Sequence, residues 1–247
     1  MDGGRARSEM ESLSGKIAIV TGGTRGIGRA IAEYLLREGV HVAICGRKQE
    51  SVDAAVDEMC GLGKVVGYAT DISRVEEVRK FFRKVDELGG LDILINNAGQ
   101  GAFRKVGEMS PEEWHDNIDL NLNGVFYCSH EALARFTKRG AGFIVNISSL
   151  AGKNAFSGGA GYNASKAGLN AFTDALMLDH RNDNVRVCSI MPGSVDTQFG
   201  SGSRSRPADQ SWMIAPVDIA ETVGLVLRMP ARTMISRVEM RPSVPKK

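Results

Sequence analysis

Short runs of β-branched and aliphatic residues alternate along this chain with longer stretches whose apolar positions recur at helical spacing. The runs are Lys16–Val20, His41–Cys45, Lys64–Thr70, Asp92–Ile95, Gly142–Ile147, Val185–Ile190 and Thr233–Ser236. Strand and helix signals in strict alternation predict an α/β fold: a doubly wound, mostly parallel sheet with helices on both faces. One helix start is written out in Ser110-Pro-Glu-Glu113, which offers a capping serine, a first-turn proline and a glutamate that can bond back to the cap. The helix it opens is expected to run into the 130s. The segment 196–215, rich in Gly, Ser and Arg and placed directly after the sixth strand, reads as a flexible lid. Residues 1–12 read as a flexible tail, and 13–247 as a single domain.

Composition narrows the possibilities. A chain of 247 residues with 43% hydrophobic content can bury one large core, and nothing marks a second domain. The net charge of +2 and pI near 8.3 give no broad basic surface, so no nucleic-acid partner is expected. No stretch approaches the roughly 18 apolar residues of a membrane span, and Met1-Asp-Gly-Gly-Arg-Ala-Arg7 lacks the apolar core of a signal peptide. A soluble, cytoplasmic protein is the expectation. Cys45, Cys60, Cys128 and Cys188 show no CxxC spacing, and buried, reduced thiols are expected. His41, His115, His130 and His180 lack metal-ligand spacing, so no metal is expected.

Two local patterns carry chemistry. Thr21-Gly-Gly-Thr-Arg-Gly-Ile-Gly28 follows a strand and opens a helix. Glycines there let the backbone approach a pyrophosphate while the helix N-terminus supplies oriented N–H groups. The second pattern is Tyr162-Asn-Ala-Ser-Lys166, which a helix would place on one face, 13 residues beyond Ser149. An ammonium beside a phenol can lower its pKa from about 10 and ready it for proton transfer.

The order Thr21-Gly22-x-x-x-Gly26-Ile27-Gly28, Asp71, Asn96-Asn-Ala-Gly99, Asn121, Ser149, Tyr162, Lys166 and Pro192-Gly193-x-Val195-x-Thr197 resembles the short-chain dehydrogenase/reductase family over roughly residues 13 to 230. The resemblance implies a Rossmann fold with a catalytic set of Asn121, Ser149, Tyr162 and Lys166. Tyr162 would be the proton donor and acceptor, Lys166 would hold the nicotinamide ribose, Ser149 would bond the substrate carbonyl, and Asn121 would anchor a relaying water. Between Ser148 and Ser149, the family spacing selects Ser149. The dinucleotide would be held by Gly22, Thr24, Arg25, Gly26, Ile27, Gly28, Arg47, Asp71, Ile72, Asn97, Ala98 and Gly99, then by Tyr162, Lys166, Pro192, Gly193, Val195 and Thr197. Asp71 would meet the adenine, and Val195 and Thr197 the carboxamide.

Where NAD-binding relatives place an acidic residue after the second strand, this chain has Gly46-Arg47, with Arg25 in the glycine turn. Two guanidiniums suit the 2′-phosphate of NADP. The expected activity is NADPH-dependent reduction of a ketone, possible substrates being a 3-oxoacyl thioester or small β-dicarbonyl. The alternatives are oxidation of a secondary alcohol such as a sugar or steroid, and a non-catalytic dinucleotide sensor. Arg104, Lys105, Arg139 and Lys153 are candidates to meet an anionic acyl carrier, though the C-terminus lacks the Asp-Gly-Gly segment common in fatty-acid 3-oxoacyl reductases. A homodimer or homotetramer is implied, paired through the helices that hold Asn121 and Tyr162.

Overall fold

The computed structural model describes residues 10–199 and 210–245. Seven strands form one sheet: β1 (Ile17–Thr21), β2 (His41–Gly46), β3 (Val65–Ala69), β4 (Ile93–Asn96), β5 (Gly142–Ile147), β6 (Val185–Pro192) and β7 (Arg237–Met240). Their order is β3-β2-β1-β4-β5-β6-β7, and every neighbouring pair is parallel. The helices are α1 (Gly26–Arg37), α2 (Gln49–Met59), α3 (Val75–Asp86), α4 (Pro111–Ile118), α5 (Gly124–Arg139), α6 (Ala160–His180) and α7 (Pro216–Leu227).

Successive side chains on a strand point to opposite faces, so each apolar run feeds two cores. Ala18, Val20, Val42 and Ile44 pack with Ile31 and Leu35 of α1, Met59 of α2 and Val223 of α7. Ile17, Ile19, Ala43 and Cys45 pack on the other face with Phe81 and Phe82 of α3, Phe136 of α5 and Leu176 of α6. Burial on both faces explains why the strands read as continuous apolar runs rather than alternating ones. No helix among the described residues is long and apolar enough to cross a membrane.

Three departures from the sequence expectation are informative. The last strand is Arg237–Met240, not Thr233–Ser236: Thr233 N–H closes a turn onto Pro230 O at 2.7 Å, and pairing with β6 begins only at Ser189↔Arg237. Apolar Ile235 packs on the core without joining the ladder, whereas the strand itself alternates as an edge strand does. The helix opened by Ser110 has its capping box, with Ser110 Oγ accepting from Glu113 N at 3.1 Å, but it does not run unbroken. It ends at Ile118, and a π-helical turn over Asp119–Asn123, closed by Gly124 N–H to Asp119 O, precedes α5. Such wide turns occur often at functional sites, and this one buries both Leu120 and Asn121. Finally, Glu11, within the stretch expected as tail, donates its N–H to Arg228 O at 2.8 Å and pairs with Arg186 at 3.1 Å. Of the expected lid, 200–209 lie outside the described residues, as do 1–9.

Three of the four cysteines are buried as expected, and Cys60 is exposed. Burial pushes the Cys45 and Cys188 thiols up to about 12 and Cys128 well above its usual value, because a thiolate has no solvation there. One thiol per native chain should therefore react quickly with an aromatic disulfide reagent, followed by absorbance. Cys60→Ser should remove that fast phase, and all four thiols should react once urea unfolds the chain.

Candidate active site

The chain reverses direction across the sheet between β1 and β4, since β2 and β3 lie on one side and β5 to β7 on the other. Outside the carboxyl ends of the strands at that point, an α/β sheet leaves a crevice. Here it is an open cleft of about 1260 Å³.

The glycine turn forms one wall. Gly22 and Gly26 adopt φ of +65° and +57°, and a Cβ on Gly28 would stand 2.3 Å from both Asn97 Nδ2 and Gly22 O. Only glycine permits this approach. Arg25 precedes α1 in extended conformation, no side chain caps the helix, and its first turn carries no acidic residue. The N–H groups and the positive end of the helix dipole are thus left for an anion. Asn97 clasps the turn from β4: its Nδ2 donates to Thr21 O at 2.9 Å and Gly22 O at 3.2 Å, and its N–H donates to Thr21 Oγ1 at 3.0 Å.

At the end of β2 stand Gly46, Arg47 and Lys48. A Cβ on Gly46 would meet Thr24 Cγ2 at 3.0 Å, so a larger acidic residue there would crowd the turn. Arg25, Arg47 and Lys48 form no ion pair among the described residues, and all three line the cleft together with Ser51. Lys48 and Ser51 were not anticipated, although Arg47-Lys48 at a strand end carries a basic signal. Thr24, Ile27, Ile72, Ala98, Gly99, Pro192, Gly193, Val195 and Thr197 line the cleft as the sequence implied. Asp71 does not. Its Oδ1 accepts from Ser73 N at 3.0 Å and Ser73 Oγ at 2.7 Å, tying a turn before α3. A narrow glycine cradle, an uncapped helix end and a cationic corner fit a nicotinamide dinucleotide.

Of the residues expected to be catalytic, Ser149, Tyr162 and Lys166 line the opposite wall. Ser149 follows β5, while α6 carries Tyr162 and Lys166 one turn apart. Ser148 turns inward, its Oγ 2.6 Å from Asn170 Oδ1, whereas Ser149, its Oγ accepting from Ala151 N at 3.1 Å, lines the cleft with Tyr162. The adjacent serines alternate faces, so only Ser149 presents its hydroxyl to the tyrosine. Lys166 is buried and donates from Nζ to Ile147 O at 2.9 Å. Asn121 does not line the cleft: its Oδ1 accepts from Gln100 N at 2.9 Å, and its Nδ2 donates to Gln100 O at 2.8 Å and Ser165 Oγ at 3.0 Å. Its side chain is spent on pinning the loop after β4 to α6.

The expected lowering of the Tyr162 pKa by Lys166 is corrected by the geometry. The ammonium lies 5.9 Å from the ring centroid and bonds to a carbonyl instead. Burial holds the Tyr162 hydroxyl above its ordinary value, opposed by the Ser149 hydrogen bond. Burial also lowers Lys166 to about 8. Three rings that the sequence reading did not single out, Phe103, Phe156 and Phe199, gather beside Tyr162.

Of the basic residues considered for an acyl carrier, Arg104 pairs with Glu113 at 3.6 Å, and Lys153 pairs with Glu239. Arg139 binds Asp92 at 2.9 Å, at the amino end of β4 and therefore on the far edge of the sheet from the cleft.

A family model described as short chain dehydrogenase matches residues 16–208. An uncharacterized oxidoreductase of Staphylococcus aureus (strain USA300) is 33% identical over 234 residues, covering 94% of this chain and 100% of that protein. The uncharacterized oxidoreductase YvrD of Bacillus subtilis is 34% identical over 75% of this chain and 71% of its own. Among solved structures, an alcohol dehydrogenase from the archaeon Thermococcus sibiricus, complexed with 5-hydroxy-NADP, superposes with a TM-score of 0.86 at 30% identity. That match covers 94% of this chain and 98% of the other. A metagenomic short-chain oxidoreductase in complex with NADP gives 0.83 at 35% identity, covering 95% and 100%.

The buried lysine gives a test that needs no ligand. Its folded value of about 8 lies below the ordinary 10.5, so between those values the unfolded chain binds more protons and stability rises with pH. Relative to Lys166→Met, the unmutated protein should gain on the order of 3 kcal/mol from pH 8 to 10.5, measured as the difference between urea midpoints of the two proteins.

Proposed function

The chain belongs to the short-chain dehydrogenase/reductase family, and on that premise we propose that it is an NADPH-dependent reductase of ketone carbonyls. The observation that carries the proposal is a cleft lined at one end by Arg25, Arg47 and Lys48 beside Gly46, and at the other by Ser149, Tyr162 and Lys166. Two guanidiniums and an ammonium at the first end suit the 2′-phosphate of NADP, the cofactor that usually accompanies reduction, and Tyr162 lines the same cleft as the proton donor. The intact set of Ser149, Tyr162, Lys166 and Asn121 argues against a non-catalytic sensor.

When bound, the nicotinamide supplies the hydride. The chain supplies everything else at the carbonyl oxygen, where negative charge grows as the reaction proceeds. Donors from Ser149 Oγ and Tyr162 Oη preorganised at that oxygen stabilise the transition state more than the ground state. Tyr162 then delivers its proton to the oxygen. Lys166 Nζ, anchored on Ile147 O, would hold the ribose hydroxyls of the bound cofactor. Asn121 keeps the loop after β4 registered against α6. Arg25 and Arg47, which line the cleft, would hold the 2′-phosphate, which the carboxylate usual at Gly46 would repel.

A small 3-oxoacyl thioester or β-dicarbonyl remains within this chemistry. Docking of an acyl carrier gains little support, because three of the four candidate cations, Arg104, Lys153 and Arg139, are already paired, and Lys105 is the one with no ion pair among the described residues. Pairing of two copies through α5 and α6 is supported by Phe126, which is exposed and in ring contact with Phe172.

Two measurements test the reading. NADPH should bind at least about tenfold tighter than NADH by calorimetry, and Arg47→Ala should erase most of that difference while leaving NADH binding nearly unchanged. Equal affinity in the unmutated protein would overturn the NADP assignment. Tyr162→Phe retains the ring but removes the proton, and should lower kcat by roughly 10² or more with little change in cofactor affinity. Near-full turnover in that variant would overturn the catalytic assignment.

A further inference from the structure

The substrate end of the cleft is built differently from the cofactor end. Phe103 comes from the loop between β4 and α4, Phe156 from the loop between β5 and α6, and Phe199 from the segment after β6. The three loops are remote in sequence, yet each contributes one phenyl ring to the same place. Phe103 meets Tyr162 edge-on, centroids 5.6 Å apart at 77°, and Phe199 meets the same tyrosine at 5.7 Å. Phe156 continues the wall, 5.7 Å from Phe103.

Glycines fix where these rings lie. A Cβ on Gly101 would stand 2.6 Å from Phe103 Cζ, and one on Gly159 would stand 2.6 Å from Phe156 Cζ, so each ring folds back over a residue that has no side chain. A strand-like bridge between Arg104 and Gly159 ties the two loops together beside the rings. Despite this order, Phe156 is 41% and Phe199 45% exposed. Apolar surface held in place at a cleft mouth, and left uncovered by the chain's own described residues, is surface for a ligand to cover.

Charge points the same way. Arg25, Arg47 and Lys48 all belong to the glycine-turn end, and besides Lys166 the one other charged residue lining the cleft among the described residues is Asp196. Arg104, the cation nearest the rings in sequence, is held by Glu113. Among the described residues, a carboxylate or phosphate on the substrate would find aromatic faces, whose quadrupole repels it, and no cleft-lining cation other than Lys166 and the group at the glycine turn. A flat ring would instead find edge-to-face and offset partners, which are worth more than area burial alone.

From these observations we infer that Phe103, Phe156 and Phe199 form a ring-binding subsite and that the preferred substrates are uncharged ketones carrying an aromatic group beside the carbonyl. The inference rests on the hydride-transfer reading above and specifies its substrate class. Conjugation makes an aryl ketone less electrophilic than its saturated counterpart, so a preference for it must come from binding.

The test compares phenyl methyl ketone, cyclohexyl methyl ketone and the 4-carboxylate of the phenyl compound, with NADPH oxidation followed by absorbance. The phenyl compound should show kcat/KM at least about tenfold above both others. Phe103→Leu and Phe156→Leu should each bring the phenyl-to-cyclohexyl ratio to within about threefold of unity. A ratio at or below one in the unmutated protein, or a ratio unmoved by either variant, overturns the subsite. In parallel, calorimetry measures phenyl and cyclohexyl methyl ketone binding to the protein saturated with NADP⁺. If no ketone is reduced, the reductase reading fails, and this binding arm still decides the subsite: tighter binding of the phenyl compound supports it, and equal or absent binding overturns it.

Discussion

The clasp between Asn97 and the glycine turn is the contact on which the rest of the site depends. At the point where the sheet divides, β1 and β4 leave their carboxyl ends side by side, and a single amide bonds the carbonyls of Thr21 and Gly22 while its own N–H engages Thr21 Oγ1. Two carbonyls at a strand end gain a donor, and the turn is held close enough that Gly28 has no room for a Cβ. The direction of α1, and with it the uncapped helix end facing the cleft, follows from that contact.

Across the cleft, polar burial on α6 has a comparable effect. Lys166, Ser165 and Asn121 are all buried, and each has its hydrogen bonds: Lys166 to Ile147 O, and Asn121 to Ser165 and to Gln100 on both sides of its backbone. A buried ammonium is costly, which is why burial depresses its pKa, and the fold bears that cost beside Tyr162. The result is a cleft with two characters: cationic and glycine-lined where phosphates fit, aromatic and nearly free of cations where a substrate carbonyl would meet Tyr162.

Much of this was legible in the sequence because it follows from local chemistry. Alternating apolar runs and helical spacings are enough to specify a doubly wound sheet. The glycines at 22, 26 and 28 mark a turn that no other residue could form, and Ser149, Tyr162 and Lys166 come together because β5 and α6 are consecutive elements. The capping box at Ser110 formed as written. Its helix broke at Asp119 because burial of Leu120 and Asn121, not any helix-stopping residue, sets the wide turn. The seventh strand shifted by four residues for a similar reason, since pairing with β6, rather than apolarity, decides where an edge strand lies.

What only the tertiary structure decided concerns groups whose role is set by distant neighbours. Charges that look free along the chain, at Arg104, Arg139 and Lys153, prove to be paired with Glu113, Asp92 and Glu239. The Tyr162-to-Lys166 spacing indicates one helix face but not that Lys166 spends a bond on Ile147, nor that burial outweighs it at the tyrosine. Three phenylalanines from three loops carry no common signal in sequence, because nothing short-range relates residues 103, 156 and 199. Residue type and spacing therefore determined the fold and which side chains are candidates to react, while protonation, pairing and the shape of the substrate end depend on which side chains the sheet brings within a few ångströms, where solvation and Coulomb forces act.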